Sequence, residues 1–188
     1  MNKVYERFRF ISLHSIFYLL NKFGGKTILP KEMRRTIEKV RIKLLEKMGV
    51  SVGENVYISA NFFSSNYSNI TLGKNGTVGM NCEFYAEGSI SIGSDFLLGS
   101  NIVIHTSEHG MEFGRVPFID QDSHIMSVII GNNVYLGSNV IIIPGVTIGD
   151  NIVVGAGSVV AKSLLEPGIY AGVPAKLVKT PCATNEER

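Results

Sequence analysis

The stretch that decides the fold is SVIIGNNVYLGSNVIIIPGVTIGDNIVVGAGSVVAK, residues 127–162, in which an aliphatic residue recurs at every sixth position. A second register follows four residues after the first. The first register is Ile130, Leu136, Ile142, Ile148, Val154 and Val160, and the second is Val134, Val140, Val146, Ile152 and Ser158. A period of six fits neither an amphipathic helix nor a long strand. It predicts short strands joined by tight corners, in repeats that stack on one another.

The same period occurs upstream, at Leu72, Val78 and Phe84 and again at Ile92, Leu98 and Ile104. The spacing between Phe84 and Ile92 is two residues longer than one repeat, which predicts a bulge near Gly88. Glycine follows many of the aliphatic residues, and we expect it where a Cβ atom would clash at a sharp corner. Asparagine is frequent in the same places, as in IGNN, LGSN and IGDN, because it tolerates the left-handed conformation.

The first 49 residues differ from the rest in charge and in period. They hold twelve Lys and Arg against four Glu, a balance of +8, whereas the remaining 139 residues have a balance of −6. An apolar stripe at Met33, Ile37, Val40, Leu44 and Met48 predicts a helix from Lys31 that ends at Gly49. We interpret residues 1–49 as a helical N-terminal arm. Its basic and aromatic residues, including Phe8, Phe10, Phe17, Tyr18 and Phe23, predict either weak association with an anionic membrane surface or packing on the first repeat.

The composition excludes several classes of protein. Two distant cysteines, Cys82 and Cys182, form no disulfide framework, which favours a reducing cytoplasm. The apolar run FISLHSIFYLL lacks a cleavage site and is shorter than the ~18 residues that span a bilayer. No phosphate-binding glycine loop and no nucleic-acid-binding feature is present. We therefore expect a cytoplasmic protein, peripheral at the inner membrane face if the arm binds there.

The repeat is interrupted between Ile104 and Ile130, and three of the four histidines, His105, His109 and His124, lie in the interruption. We expect residues 105–128 to form a loop that protrudes from the stacked repeats. Loops on a rigid scaffold often carry function. Without further information His109 would be interpreted as a solvated loop histidine, His105 as an outward-facing surface residue and His124 as a residue without a role.

Residues 50–180 resemble the hexapeptide-repeat acyltransferases, which fold as a left-handed parallel β-helix. The likeness rests on the quoted stretch and on AGVPAKLVK, and it is greatest to the galactoside and maltose acetyltransferases and to the sugar O-acetyltransferases of capsule and O-antigen synthesis. The resemblance implies an all-β main domain of three hexapeptides per coil, a homotrimer, and a short tail at residues 181–188.

The resemblance also assigns catalytic residues. In the related enzymes the pattern PNVxxxxxxH ends in the general base, and SNIVIHTSEH places His109 at that position. A neutral imidazole suits proton abstraction from a hydroxyl. The resemblance nominates the backbone N–H of Ser138, contributed by an adjacent subunit, as the donor to the oxyanion.

Coenzyme A lies between two prisms in the family, and the resemblance implies its binding residues here. Small residues would let the pantetheine arm lie flat, and lysines would contact the phosphates. These candidates are Gly137, Ser138, Gly155, Ala156, Ala161, Lys162, Lys176 and Lys179. The family commonly has NNVWIG where this chain has NNVYLG, which leaves the acceptor open. The acceptor-binding candidates are Asn81, Tyr85, Glu87 and Tyr135.

The expected function is therefore acetyl-CoA-dependent O-acetylation of a sugar hydroxyl in surface polysaccharide synthesis, with no metal required. Two acetyltransferase alternatives remain, N-acetylation of an amino sugar and acetylation of an antibiotic. Two alternatives of other classes are a zinc enzyme similar to the gamma-class carbonic anhydrases, which would use the three histidines, and a β-helix without catalytic activity that serves as a scaffold.

Overall fold

A computed structural model describes residue 13 and residues 15–20, 31–114 and 116–181. The helix α1 (Lys31–Lys47) precedes a stack of short strands in three sheets. The first sheet contains β1 (Ser51–Val52), β4 (Ile70–Leu72), β7 (Ile90–Ile92), β12 (Val128–Ile130) and β15 (Thr147–Ile148). The second contains β2 (Val56–Ile58), β5 (Gly76–Val78), β8 (Leu97–Leu98), β13 (Tyr135–Leu136), β16 (Ile152–Val154), β18 (Gly168–Ala171) and β19 (Lys176–Lys179). The third contains β3 (Phe63–Ser64), β6 (Glu83–Tyr85), β9 (Val103–His105), β14 (Ile141–Ile142) and β17 (Val159–Val160).

The strands pair in parallel from one coil to the next, apart from the antiparallel pair β18–β19. The chain visits the first, second and third sheets in turn, so each circuit of the three forms one coil of a triangular prism. The stacked short strands predicted from the six-residue period and the parallel β-helix that the resemblance implies are both confirmed. Two strands lie outside the three sheets, β10 (Ser107–His109) and β11 (Ser123–Ile125), and they pair only with each other.

The length of a coil changes along the chain. Stacked residues are 20 positions apart in the early coils, as in Asn81 and Asn101, and 18 apart in a late coil, as in Asn133 and Asn151. The two extra residues lie at the corner between the third and first sheets, which we call the third-to-first corner. In one coil they lie between β6 and β7, around the predicted position near Gly88. In the coil before it the same corner holds a 3₁₀ helix, Tyr67–Asn69.

The interior of the prism is lined by the two registers of the repeat. Every residue of both registers in the 127–162 stretch is buried, as are the six upstream positions. Burial of each aliphatic side chain contributes about 1.5–3 kcal/mol. Ser158, the one polar member, is also buried, and its hydroxyl donates a hydrogen bond of 2.7 Å to the carbonyl of Gly155. The predicted core is therefore confirmed.

Asparagine and glycine have different structural roles at the corners. In the part of the chain that the structure describes, nine Asn or Asp residues adopt a positive φ, between 53° and 62°, including Asn133, Asn139 and Asn151. The glycines that follow the core aliphatics are needed for a different reason, the closeness of the next coil. A Cβ atom built on Gly73 would lie 2.5 Å from the backbone of Gly93. Both expectations for the corners hold, and the left-handed conformation belongs mainly to the asparagines.

The helix α1 covers the first coil with its C-terminal half only. The helix predicted from the apolar stripe is confirmed. Leu44, Leu45 and Met48 are buried on the first coil, whereas Met33 and Val40 are 50% and 41% exposed. Arg41, which is not part of the apolar stripe, is also buried, and its guanidinium donates a hydrogen bond to the carbonyl of Ser59. The helix ends as expected before Gly49, whose φ is 109°.

The described part of the earlier segment packs on the same coil. Phe17 is buried, and its ring meets Tyr67 edge to face at a centroid distance of 6.1 Å. Tyr18 is exposed. Phe8, Phe10, Phe23 and His14 lie outside the described residues, as do Arg115 and the tail from Cys182 to Arg188. None of the helices among the described residues is long and apolar enough to cross a membrane.

Candidate active site

The interruption in the repeat forms a β-hairpin rather than an irregular loop. Its strands β10 and β11 are antiparallel and pair Ser107 with Ile125, Glu108 with His124, and His109 with Ser123. The hairpin leaves the prism at the third-to-first corner, where the preceding coils already carry two extra residues. The inserted segment therefore enlarges a corner that is wide in every early coil.

The tip of the hairpin is held together by a single amide side chain. Gln121 accepts a hydrogen bond of 3.0 Å from the backbone N–H of Glu112 and donates to the carbonyls of Glu112 and Val116, at 2.9 and 3.1 Å. Several apolar side chains of the tip are exposed, and Phe113 is 94% exposed. Among the described residues of the tip, the apolar side chains at 111–114 and 116–120 are exposed, and polar contacts of Gln121 hold the backbone.

His109 is exposed near the base of the hairpin. Its Nδ1 atom lies 3.4 Å from the Oγ atom of Ser123, its cross-strand partner. His124 pairs with Glu108 and so projects from the opposite face of the hairpin, because side chains alternate along a strand. Within the described residues no three His, Cys, Asp or Glu side chains group as metal ligands. A zinc site of the alternative kind would need histidines from more than one copy of the chain.

The segment that leads from the prism to His109 contacts polar side chains of the coil before it. The ring of His105 stacks on Tyr85 at a centroid distance of 4.7 Å and an angle of 3°. Ser107 donates a hydrogen bond of 3.2 Å to Glu87. Through His105 and Ser107, the acceptor-binding candidates Tyr85 and Glu87 contact the segment that leads to His109.

Tyr85 is further fixed by Glu83. The tyrosine hydroxyl donates a hydrogen bond of 2.8 Å to the Glu83 carboxylate, and this bond and the carboxylate charge raise the pKa of Tyr85. Tyr85 therefore stays protonated near neutral pH. Sequence reasoning missed this network and the contact of His105 with Tyr85, which lies 20 residues, one early coil, before it; predicting the contact would have required the length of the coil.

Four of the eight coenzyme-binding candidates lie at another corner, between the second and third sheets, which we call the second-to-third corner. Gly137 and Ser138 follow β13, and Gly155 and Ala156 follow β16 one coil later. The two coils are in close contact there, because a Cβ atom on Gly137 would lie 2.5 Å from the nitrogen of Ala156. No hydrogen bond from the N–H of Ser138 is found within the described part of the chain.

The remaining candidates are spread over the surface. Lys176 and Lys179 are exposed on β19, whereas Ala161 and the exposed Lys162 follow β17 at the third-to-first corner. Tyr135 faces outward from the second sheet, between Leu97 and Val153 of the neighbouring coils. Asn81 has a φ of 57° and belongs to a ladder of corner amides, in which it donates to Asn101 at 3.1 Å.

One chain does not bring the catalytic candidates together. His109 belongs to the hairpin at the third-to-first corner, and Ser138 and Ala156 lie at the second-to-third corner, on another edge of the prism. Cys82, whose thiol contacts the carbonyl of Gly99, is buried, and burial raises the pKa of the thiol to about 11. A thiol in that state is a poor nucleophile at neutral pH.

Family comparisons agree with the repeat. The family model "Bacterial transferase hexapeptide (six repeats)" matches residues 127–162, and "Hexapeptide repeat of succinyl-transferase" matches residues 69–105. The galactoside O-acetyltransferase of Escherichia coli is 34% identical to the chain over 165 residues, which cover 84% of this chain and 78% of that protein. A putative lipopolysaccharide biosynthesis O-acetyltransferase of Escherichia coli is 40% identical over 98 residues, 48% of this chain and 50% of that protein.

The fold comparison points the same way. A solved structure of a galactoside acetyltransferase in complex with coenzyme A superposes with a TM-score of 0.72 and 28% identity. The superposition covers 91% of this chain and 82% of that one. Fold, repeat and sequence identity together show that the chain belongs to the hexapeptide-repeat acetyltransferase family.

Proposed function

We propose that the chain transfers the acetyl group of acetyl-CoA to a hydroxyl of a sugar, with His109 as the general base. The observation that carries the proposal is the position of His109, exposed on a hairpin strand and 3.4 Å from Ser123. The galactoside O-acetyltransferase relative supports the reaction class, and the coenzyme A complex of the similar structure supports the acetyl donor.

The reaction follows from the chemistry of these groups. His109 removes the proton of the sugar hydroxyl while its oxygen attacks the carbonyl carbon of the thioester. The negative charge that develops on the carbonyl oxygen is stabilised by the N–H of Ser138. Collapse of this intermediate breaks the carbon–sulfur bond, and the departing thiolate takes the proton from His109. No covalent acyl-enzyme is needed.

The corner formed by Gly137, Gly155 and Ala156 fits the acetyl donor. These residues carry at most a methyl group, so the pantetheine arm can lie close to the backbone. Lys162, Lys176 and Lys179 supply positive charge for the phosphates, in a part of the chain whose balance is −6. Charged groups of this kind attract phosphate strongly.

The acceptor binds beside Tyr85 and Glu87 in this proposal. The Glu87 carboxylate accepts hydrogen bonds, as it does from Ser107, and sugar hydroxyls are suitable donors. Tyr135 and Asn81 lie on the side of the prism that carries Ser138, so they would meet the acceptor only from another copy of the chain.

The separation of His109 from Ser138 supports a site shared between copies. A heterologous contact that closes after three copies would set the hairpin of one copy against the second-to-third corner of the next. We therefore expect a homotrimer. Light scattering should give a mass near three times 20.6 kDa, and a monomer that still transfers acetyl groups at full rate would contradict the shared site.

We also propose a role in surface polysaccharide synthesis at the cytoplasmic side of the membrane. The lipopolysaccharide O-acetyltransferase relative supports the role, although the match covers half of each chain. Exposed apolar residues of the arm, including Tyr18 and Leu19, support weak membrane contact, whereas the buried Phe17 supports packing on the first coil. Sedimentation with anionic vesicles at low and high salt separates the two.

The decisive experiment measures thiol release from acetyl-CoA in the presence of a panel of neutral sugars and amino sugars. Mass spectrometry of the products then locates the new acetyl group on oxygen or on nitrogen. We expect sugar-dependent thiol release and an O-acetyl product. Failure of every sugar to accelerate thiol release, in a protein that binds coenzyme A, would contradict the proposed function.

A further inference from the structure

The corners of the prism contain a recurring hydrogen bond between coils. A backbone N–H of one coil donates to the side-chain oxygen of the residue stacked on it in the next coil. At the second-to-third corner the N–H of Met80 donates to Ser100 at 3.3 Å, and the N–H of Ser100 donates to Ser138 at 3.2 Å. Similar bonds at the corner between the first and second sheets join Lys74 to Ser94, Ser94 to Asn132, and Asn132 to Asp150.

The series at the second-to-third corner stops at Ala156. This residue stacks on Ser138, since the N–H of Gly157 donates to the carbonyl of Ser138 at 2.9 Å and Gly137 lies directly against Ala156. A methyl group offers no oxygen, so the N–H of Ser138 lacks the partner that Ser100 has one coil earlier. In the described part of the chain it donates to no other group.

We propose that Ala156 is a positioning residue whose lack of a hydroxyl keeps the N–H of Ser138 open for the reacting carbonyl oxygen. The inference rests on the proposed function, in which this N–H stabilises the oxyanion. A hydroxyl at position 156 would accept the hydrogen bond in the resting enzyme, as Ser138 does for Ser100. The oxyanion would then have to compete with an intramolecular acceptor that is already in place.

Space is the competing explanation for the small residue, because the pantetheine arm is proposed to pass over the same corner. Size and hydrogen bonding can be separated with two substitutions. Ala156→Ser adds an oxygen that accepts hydrogen bonds, whereas Ala156→Cys adds a slightly larger atom that accepts them only weakly. A purely steric role predicts that the cysteine variant is affected at least as much as the serine variant.

The test combines kinetics with amide exchange in the full-length protein. Removal of one oxyanion donor typically lowers kcat by ~10²–10³-fold, and we expect Ala156→Ser to approach this loss with little change in coenzyme A affinity. Ala156→Cys should lose far less kcat than Ala156→Ser, because sulfur is a weak acceptor. Hydrogen exchange at the Ser138 amide should slow in Ala156→Ser and not in Ala156→Cys.

Three results would overturn the inference. These are a fully active Ala156→Ser enzyme, equal losses in both variants together with weaker coenzyme A binding, and unchanged exchange of the Ser138 amide in Ala156→Ser. Each of them leaves a wild-type enzyme that acetylates its acceptor. A wild type that transfers no acetyl group to any sugar would instead overturn the proposed function, and the two failures are therefore distinguishable.

Discussion

The prism and the hairpin adjoin in one chain, but they differ in how far their side chains are buried and in how closely their backbones pack. In the prism nearly every residue that points inward is an aliphatic residue at full burial, and corner backbones approach so closely that a Cβ atom does not fit. In the hairpin, residues 111–114 and 116–120 are all exposed, and Gly114 has nothing within 4 Å of the place of its Cβ atom.

Because of this difference, we expect the prism to determine the stability of the fold and the hairpin to supply a reacting side chain. A rigid stack of coils fixes the positions of backbone groups such as the N–H of Ser138. The hairpin carries a side chain, His109, whose removal disturbs no packed core. Substitutions in the prism should therefore change the free energy of unfolding, and substitutions in the hairpin should change the rate of acetyl transfer.

The largest effect is expected for His109→Ala. Loss of a general base typically lowers kcat by ~10²–10⁴-fold, while the melting temperature and coenzyme A affinity should stay near the wild-type values because the side chain is exposed. The control is His124→Ala, on the opposite face of the same hairpin and paired with Glu108. Steady-state kinetics and thermal melts of both variants check the expectation.

The zinc alternative makes a different prediction for the same pair. His109→Ala and His124→Ala should then be comparably inactive, and the metal content of the purified protein should fall with activity. An active His109→Ala enzyme would refute both versions of the site, since it would leave the exposed histidine without a chemical role.

The second prediction compares two neighbouring isoleucines of β14. Ile142 is fully buried in the prism, and Ile141 is 38% exposed on the outside. Ile142→Ala should lower the free energy of unfolding by about 2–5 kcal/mol, because it leaves a cavity in a close-packed core. Ile141→Ala should cost less than about 1 kcal/mol.

Chemical denaturation at equal protein concentrations measures both variants, since oligomers unfold in a concentration-dependent way. The folded fraction of Ile142→Ala should retain its kcat. A kcat that falls in proportion to stability would mean that the prism does more than hold the site.

The repeat could be predicted because its signal comes from interior sterics alone. Each aliphatic position, such as Ile130 or Val154, points into the prism, and such an inward-pointing position recurs every six residues. The stack of Tyr85 on His105 depends on the length of a coil, and that length changes from 20 to 18 along the chain. The extra residues at Tyr67–Asn69 lie in a corner whose side chains do not follow the six-residue pattern of the interior. The period therefore did not predict them.

The hairpin could be predicted only as an interruption. Its register pairs His109 with Ser123, and the turn that sets this pairing is held by Gln121 through backbone carbonyls. Such contacts have no periodicity and no single residue type. The helix α1 could be predicted from its apolar stripe, but which of its residues are buried could not, because a helix that covers the end of a prism buries only the face that meets it.

The third prediction uses one glycine from each region. A Cβ atom on Gly73 would lie 2.5 Å from backbone atoms of Gly93, which no side-chain rotation can relieve. Gly73→Ala should therefore cost about 1–3 kcal/mol, as overpacking does. Gly114→Ala should leave stability unchanged within about 0.5 kcal/mol. Thermal melts compare them directly, and a tolerant Gly73 would mean that the coils can separate more easily than their packing implies.

The fourth and smallest effect concerns the left-handed corners. Asn151 has a φ of 59° and accepts a hydrogen bond of 2.8 Å from the side chain of Asn133. The left-handed conformation costs an ordinary residue about 1–2 kcal/mol, so Asn151→Ala should destabilise the fold by roughly that amount. Asn151→Gly removes the strain and keeps only the loss of the amide contact, so it should be milder. Denaturant midpoints of the two variants measure the difference. If glycine proves as damaging as alanine, the ladder of amides rather than the backbone conformation determines which residue the corner requires.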